Sequence, residues 1–222
     1  MIVTATGLTR SYGDGEATVH ALAGVDVAFP EGAFTAIMGP SGSGKSTLMH
    51  LLAGLDRPTA GSVVLAGTEL AGLGDKELTA LRRDKVGFIF QSFNLLPVLS
   101  AEENILLPLS ISGREPDRAW VDRLISTVGL QDRLRHRPAE LSGGQQQRVA
   151  VARALAARPA VVFADEPTGN LDSKTSQEVL ALLRRSVDEF GQTIIMVTHD
   201  AEAAAIADRR IVLSDGQIVQ DA

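Results

Sequence analysis

The 222-residue chain contains no cysteine, which excludes disulfide bonds and thiolate metal sites. Its four histidines are scattered along the sequence and do not form a zinc-binding pattern. No apolar run approaches the roughly 18 residues that are needed to span a bilayer, and the amino terminus lacks the basic and apolar segments of a signal peptide. We therefore expect a soluble protein that stays in the compartment where it is made.

Basic residues are also in the minority, because 21 Lys and Arg are set against 27 Asp and Glu. The resulting net charge of −6 disfavours nucleic acid as the main ligand, since such partners bind basic faces. The hydrophobic fraction of 45% is that of an ordinary globular protein. A chain of this length can bury one α/β core with a smaller appended lobe, so we expect a single domain over residues 1–222.

A glycine-rich loop between an apolar segment and a helical pattern is the first motif. It matches G-x-x-x-x-G-K-[ST] and consists of Gly39, Pro40, Ser41, Gly42, Ser43, Gly44, Lys45, Ser46 and Thr47. In such a loop the backbone N–H groups wrap phosphates, Lys45 adds positive charge toward the outer phosphates, and the Ser46 hydroxyl can ligate Mg²⁺. The sequence therefore predicts that this loop binds ATP and Mg²⁺.

Two acids follow a second apolar segment, 160–164. A parallel strand buried on both faces delivers the next residues to the carboxyl edge of its sheet, where ligands bind in such folds. We therefore assign Asp165 to Mg²⁺ and Glu166 to deprotonation of an attacking water. The alternative is a pair of solvated acids, which we disfavour because Pro167 follows at once and fixes the direction of the chain.

The pentapeptide LSGGQ, residues 141–145, is the third motif. Ser142 is a preferred helix N-cap, and the two glycines after it let the backbone approach a ligand closely. A hydroxyl, free N–H groups and the positive end of a helix would converge on one spot, which suits an anion. Taken alone, the motif could equally be an ordinary cap between a loop and a helix.

Residue periodicity predicts the remaining secondary structure. The predicted strands are Ile2–Thr6, Val19–Phe29, Ala33–Met38, Ser62–Ala66, Val86–Phe90 and Thr193–Thr198, the predicted helices are Leu48–Gly54, Lys76–Arg83, Gln145–Ala154 and Gln177–Glu189, and a hairpin is predicted at Ile211–Val219. Residues 92–158 lack strand signals and are predicted to be helical.

With these motifs in this order and spacing, the chain resembles the ABC-type ATPases over essentially all 222 residues. The resemblance implies an α/β fold in which a RecA-like P-loop NTPase core with an N-terminal antiparallel β subdomain occupies residues 1–91 and 159–222. It implies a helical subdomain at about residues 92–158. It also implies ATP hydrolysis, with Glu166 as base and with Lys45 and His199 stabilising charge on the transferred phosphoryl group.

The resemblance assigns several further residues. Tyr12 matches the aromatic side chain that stacks on adenine, and Gln91 matches the glutamine that senses both Mg²⁺ and the transport partner. In a head-to-tail homodimer one chain would contact the ATP of the other through Ser142, Gly143, Gly144, Gln145 and Asp172. The alternatives are that Tyr12 only occupies a strand turn and that His199 only caps a strand end.

The resemblance also implies a membrane permease as partner, and a place on the cytoplasmic face of the membrane. The apolar run Phe93–Leu99 directly follows Gln91, and it resembles the macrolide-export, lipoprotein-release, bacitracin-resistance and FtsE cell-division types. We expect part of this run to form a groove for a short permease helix, with Phe93 as the anchor, although some of its residues could pack the core instead.

Two other function classes stay open. One is a regulatory ATPase of the FtsE type, which switches a cell-wall or division complex and transports nothing. The other is a DNA-repair or translation ATPase of the same fold, which the acidic charge and the absence of a coiled-coil insertion disfavour.

Overall fold

The computed structural model describes residues 1–13 and 18–222, and within them it has ten strands and seven α-helices. The strands are β1 (Val3–Tyr12), β2 (Val19–Phe29), β3 (Phe34–Met38), β4 (Ala60–Leu65), β5 (Thr68–Glu69), β6 (Val86–Phe90), β7 (Val161–Asp165), β8 (Ile194–Val197), β9 (Arg209–Ser214) and β10 (Gln217–Asp221). The helices are α1 (Lys45–Leu52), α2 (Asp75–Lys85), α3 (Ala101–Ser112), α4 (Arg118–Val128), α5 (Gly143–Ala156), α6 (Ser173–Phe190) and α7 (Ala201–Ala204).

A six-stranded sheet in the order β10-β9-β3-β8-β7-β6 forms the centre of the molecule. Strands β9, β3, β8, β7 and β6 are parallel, and only β10 pairs antiparallel. Residues 161–164 and 194–197 are apolar and buried throughout, as expected where both faces of a parallel sheet are covered. The loops that follow β3, β7 and β8 therefore meet at one edge of the sheet.

A second, antiparallel sheet has the order β2-β1-β4-β5 and packs on α1 through one shared apolar cluster. This is the predicted N-terminal β subdomain. Strand β1 continues to Tyr12, although the sequence analysis ended it at Thr6. The extension is possible because the register shifts between Ala5 and Leu8, where Gly7 has a φ of 57°, and pairing with β2 resumes beyond this irregularity.

Residues 92–158, all of which the structure describes, contain no strand, as predicted. The first eight of them, however, form turns and irregular segments and not the predicted helix. Phe93 and Asn94 have φ values of 60° and 49°, which a right-handed helix does not accommodate. The helical part therefore begins after Ser100, whose hydroxyl accepts a hydrogen bond from the Glu103 N–H and caps α3. The division of the chain into two subdomains stays a prediction.

The closing hairpin forms as predicted between β9 and β10. Its two turn residues, Asp215 and Gly216, have φ values of 48° and 74°. Two positive φ values are what a type I′ turn requires, and Asp-Gly is a favoured pair for that turn.

Trp120, the one tryptophan of the chain, joins α4 to the end of α6. Its ring meets that of Phe190 edge-on, with 4.9 Å between the ring centroids. The guanidinium of Arg158 lies 4.8 Å from the Trp120 ring centroid, and that of Arg123 lies 5.0 Å from the Phe190 ring centroid. Because Phe190 comes shortly before β8 and Arg158 shortly before β7, this contact lies near the amino ends of the parallel strands. Within the described residues, no helix is long and apolar enough to cross a membrane.

Candidate functional site

A cavity of about 620 Å³ lies where the loop after β3 faces the loops after β7 and β8. It is lined by Ser41, Gly42, Gly44, Lys45, Ser46 and Thr47 on one side, by Glu166 and His199 on another, and by Val19, His20 and Ala21 of β2. The structure thus brings the predicted phosphate-binding loop together with the predicted base and histidine. The sequence does not mark these three β2 residues as part of a site, because they are predicted only as part of the strand Val19–Phe29.

Two glycines shape the phosphate-binding loop. Gly39 has a φ of 145°, and a Cβ there would lie 2.1 Å from the carbonyl oxygen of Leu213. Gly44 has a φ of 101°, and a Cβ there would lie 2.4 Å from the carbonyl oxygen of Ala21. Neither position admits a side chain, because both the backbone conformation and the neighbouring carbonyl exclude one. The close curve of the loop therefore depends on its sequence.

The loop presents donors rather than acceptors to the cavity. Helix α1 begins at Lys45, and its N-cap is Gly44, which supplies no side-chain acceptor to the N–H groups of the first turn. The Lys45 Nζ is nearly buried and donates to the carbonyl oxygens of Gly39 (2.9 Å) and Pro40 (2.7 Å). The Ser43 hydroxyl is buried without a hydrogen-bond partner in the described part of the chain. A lysine charge, a helix N-terminus and a spare hydroxyl together fit phosphate groups.

Glu166 takes an unusual backbone conformation at the end of β7, with a φ of 47°. Its N–H donates to the Val197 carbonyl (2.9 Å), and its own carbonyl accepts from the Gly169 N–H (3.0 Å). His199 Nδ1 lies 2.7 Å from the Glu166 carboxylate. Because an ionised carboxylate only accepts hydrogen bonds, Nδ1 carries the proton in this contact. Left-handed backbone at a non-glycine residue is costly and is common at functional sites, where the surroundings hold it in place.

Asp165, directly before Glu166, is partly buried at the same strand end. Burial raises the pKa of its carboxyl, nearby His50 and Lys45 lower it, and Glu166 raises it. A carboxyl whose pKa is raised by folding destabilises the fold as the pH rises above its unfolded pKa, and the cost is complete above the folded pKa. A cation beside the ionised side chain would offset this cost. No cluster of three His, Cys, Asp or Glu side chains that could hold a metal ion occurs among the described residues.

The residues predicted for Mg²⁺ have the appropriate chemistry. The Ser46 hydroxyl, the Asp165 carboxylate and a Gln91 amide oxygen are hard oxygen ligands, and Mg²⁺ is commonly held by one or two such groups together with substrate phosphates. The Gln91 Nε2 donates to Asn170 Oδ1, and Asn170 Nδ2 donates to the Gln91 carbonyl, both at 3.1 Å. This leaves Oε1 as the Gln91 atom for a cation. Neither Gln91 nor Asp165 is among the residues that line the cavity.

Tyr12 lies at the end of β1, outside the cavity lining described above. Its hydroxyl donates to Asp56 Oδ2 (3.0 Å), and the Arg10 guanidinium lies 4.4 Å from its ring centroid. The phenol is thus anchored, and 42% of the residue remains exposed. Its predicted stacking on adenine remains a prediction.

The LSGGQ segment forms the start of α5, as predicted. The Ser142 hydroxyl accepts from the Gln145 N–H (3.3 Å), and Gln145 Oε1 accepts from the Ser142 N–H (2.9 Å), which is a capping box. A Cβ on Gly144 would lie 2.3 Å from the Thr175 methyl, so this position is close-packed. No residue of the segment 141–145 lines the cavity of its own chain.

Asp172 caps α6, a role that the sequence analysis did not assign to it. Its carboxylate accepts from the Thr175 N–H (3.0 Å) and from the Thr175 hydroxyl (2.6 Å). These bonds, the hydroxyl first, hold the pKa of Asp172 below its usual value. Asp172 also lies outside the cavity of its own chain.

The family model described as "ABC transporter" matches residues 22–169, which is more than half of the chain. The chain belongs to the ABC transporter family. As a member it is an ATP-binding ATPase, and its fold is that of the ABC ATPase cassettes, both as the resemblance predicted.

Several named ABC proteins are similar to this chain. The macrolide export ATP-binding/permease protein MacB of Marinobacter nauticus is 51% identical over 216 residues, which is 96% of this chain and 33% of that protein. The lipoprotein-releasing system ATP-binding protein LolD of Geobacter metallireducens is 47% identical over 216 residues, 96% of each. The chain thus spans about a third of the length of the MacB relatives but nearly all of LolD.

Solved ABC structures have the same fold. The ATP-binding cassette MJ0796 of Methanocaldococcus jannaschii, in a dimeric post-hydrolysis state bound to ADP and Pi, matches with a TM-score of 0.88 and 43% identity. The match covers 99% of this chain and 97% of that one.

A groove of this ABC domain lies beside the apolar run and is not built from it. A groove of about 290 Å³ is lined by Arg83, Val86, Gly87, Phe88, Phe90, Asn94, Leu107, Pro108, Arg153, Ala154 and Ala157. Of the run Phe93–Leu99, only Asn94 contributes to it. Phe93 is half-buried, and its ring lies 3.7 Å from the position of a Cβ on Gly143. Phe93 does not line this groove, because its ring lies toward the LSGGQ segment, and its predicted role as the partner's anchor stays a prediction.

Two polar side chains of α5 were missed by the sequence analysis of this ABC domain. Gln147 is fully buried, and Arg153 donates to the carbonyl oxygens of Phe93 (2.8 Å) and Asn94 (2.5 Å). A signal for Gln147 was available, because it shares a helix face with Ala150, Val151 and Ala154, all of which are apolar.

Proposed function

We propose that two copies of this chain close head to tail around two ATP and two Mg²⁺, and that this cycle drives a membrane permease of the export or lipoprotein-release type. The observation that carries the proposal is that the phosphate-binding loop and the LSGGQ segment of one chain do not line the same cavity. Lys45, Glu166 and His199 share one cavity, whereas the segment 141–145, which also suits an anion, lies outside it. A second copy supplies the missing partner for each element. The dimeric MJ0796 structure and the similarity to MacB and LolD support this arrangement.

Glu166 is the base in the proposed reaction. Its carboxylate lines the cavity opposite the phosphate-binding loop, and its backbone is fixed by bonds to β8 and to Gly169. Lys45 turns from the carbonyls of Gly39 and Pro40 to the phosphates and stabilises the charge of the transferred phosphoryl group. Ser46, Asp165 and Gln91 would hold Mg²⁺, which would supply positive charge beside the phosphates.

His199 stabilises the same charge through its second ring nitrogen. With Nδ1 donating to Glu166, a neutral ring offers only an acceptor at Nε2, which phosphate oxygens repel. A hydrogen bond from Nε2 to phosphate therefore requires a proton on each of the two ring nitrogens. In this geometry Glu166 orients His199 as well as the attacking water.

ATP hydrolysis by the purified chain is expected to require Mg²⁺ and to rise more than linearly with protein concentration. The reason is that each active site needs two chains, so that the turnover rate per chain grows until the dimer is saturated. The measurement is a titration of protein at fixed ATP and Mg²⁺, with EDTA as the control that stops turnover. A rate per chain that is constant down to nanomolar protein would show that one chain suffices.

The groove of about 290 Å³ is our proposed docking site for the permease, on the cytoplasmic face of the membrane. Its walls include Phe88 and Phe90 of β6 and Leu107 of α3, and its rim includes Arg153, which also holds the carbonyls of Phe93 and Asn94. A short amphipathic helix inserted there would contact both α3 and the segment that follows Gln91, in the helix-in-groove mode.

Leu107→Lys is expected to abolish co-purification with the membrane protein encoded beside this chain, because it places a charge in the apolar groove. Loss of a buried anchor in such contacts often costs about 2 kcal/mol or more. Ile111→Lys is the matched control, since Ile111 lies on the same helix, is 68% exposed and is outside the groove. Both variants should keep the ATPase rate of the isolated chain. If both variants lose binding equally, or if neither variant loses it, the docking site lies elsewhere.

A further inference from the structure

Gln147 is buried in full between three functional segments. It lies on α5, whose first residues are the LSGGQ glycines. Its Nε2 donates to the carbonyl oxygen of Pro167, directly after Glu166, and to that of Phe90 at 3.4 Å, directly before Gln91. One side chain thus bridges α5 to the backbone beside the base and to the backbone beside the predicted Mg²⁺ sensor.

The polar side chain is costly at this position. Its Oε1 is buried and accepts no hydrogen bond from the residues that the structure describes. A buried polar atom without a partner destabilises a fold. An apolar side chain of similar shape would avoid that cost, but it would remove the donor from the carbonyl oxygens of Pro167 and Phe90. Packing alone therefore does not account for a glutamine in this place.

A second side chain of α5 also binds the segment around Gln91. Arg153, six residues after Gln147, donates to the carbonyls of Phe93 and Asn94. Together the two side chains hold the segment around Gln91 on both sides, at Phe90 and at Phe93 and Asn94. Because an α-helix moves as a rigid rod over this length, displacement of its first turn displaces both attachments.

We propose that Gln147 is a positioning residue that makes the catalytic base respond to α5. This inference rests on the proposed function, in which the first turn of α5 engages ATP held by the partner copy. The bond from Gln147 to Pro167 then transmits the position of α5 to Glu166, whose left-handed backbone leaves little tolerance for displacement. The base is aligned only when the partner's nucleotide has drawn α5 into place.

The chain offers a matched control for this proposal in Gln192. That glutamine is also buried, and its Nε2 also donates to two carbonyl oxygens, those of Pro159 and Thr193, both at 3.2 Å. It precedes β8, at the sheet edge opposite the cavity. Replacing either glutamine by leucine removes an amide group that donates to two backbone carbonyls. Only the carbonyls bonded by Gln147 lie beside Glu166 and Gln91.

The melting temperatures of Gln147→Leu, Gln192→Leu and the unaltered chain are measured first. The kcat and KM of ATP hydrolysis are then measured for all three at a temperature well below the lowest melting temperature. Gln147→Leu is expected to lower kcat about tenfold or more with KM unchanged within about twofold, since a displacement of about 1 Å can cost 10²-fold. Gln192→Leu is expected to lower the melting temperature similarly and to keep kcat within about twofold.

Three results would overturn the proposal: an equal fall of kcat in both variants, a raised KM with unchanged kcat in Gln147→Leu, or unchanged kinetics. If Gln147→Leu does not fold, Gln147→Met, which keeps the length of the side chain without its donors, is measured in its place. If neither folds, the residue is structural and the proposal fails. An unaltered chain that does not hydrolyse ATP would instead contradict the proposed function, so the two failures are distinct.

Discussion

Glu166→Gln is expected to bind ATP and to lose steady hydrolysis, so that an ATP-bound dimer accumulates. Glutamine keeps the shape of the side chain and can still accept from His199 Nδ1, but it cannot take a proton from water. General-base catalysis contributes typically about 10²–10⁴-fold, so turnover should fall by at least the lower figure. Light scattering in ATP and Mg²⁺ should show twice the monomer mass.

Glu189→Gln is the control for this experiment. Glu189 pairs with Arg185 on the exposed face of α6, away from the cavity, and its loss should change neither turnover nor mass. A Glu166→Gln variant that hydrolyses at the wild-type rate, or that stays monomeric at high protein concentration, would refute the role of Glu166.

Lys45→Ala and Ser142→Arg are expected to fail at different steps. Lys45 belongs to the cavity of its own chain, so its loss should weaken ATP binding to the monomer by about tenfold or more, as for a hydrogen bond to a charged group. Ser142 lies outside that cavity, so an arginine there should leave monomer binding intact and block closure of the dimer. Fluorescent-nucleotide titration measures the first effect, and light scattering measures the second.

Mixing the two variants tests the head-to-tail arrangement directly. A mixed dimer contains one composite site with an intact Lys45 and an intact Ser142, so partial activity should return unless the two sites are strictly coupled. If the Ser142→Arg variant lowers the ATP affinity of the monomer as much as the Lys45→Ala variant does, the cross-chain assignment is contradicted.

The parts of the site that depend on local backbone chemistry could be predicted from the sequence. Gly39 and Gly44 specify positive φ values, Ser142 and Gln145 form a capping box at their sequence spacing, and Asp215-Gly216 makes the expected turn. Each of these features is encoded within a few consecutive residues, so no knowledge of distant contacts is needed.

The parts that depend on tertiary contacts could not be predicted. Phe93 and Asn94 adopt left-handed backbone because Arg153, about 60 residues later, holds their carbonyls, and no glycine marks the turn. A contact between residues far apart in the sequence thus decides the conformation of this segment.

The position of Trp120 has a practical consequence for studies in solution. It is the single tryptophan, and its neighbours are Phe190 and Arg158, near the amino ends of the parallel strands. The cavity beside the phosphate-binding loop lies at the carboxyl ends of the same strands, and neither Trp120 nor its two neighbours line it. The intrinsic fluorescence of Trp120 therefore reports on the packing of α4 against α6, and its measurement requires no engineered label.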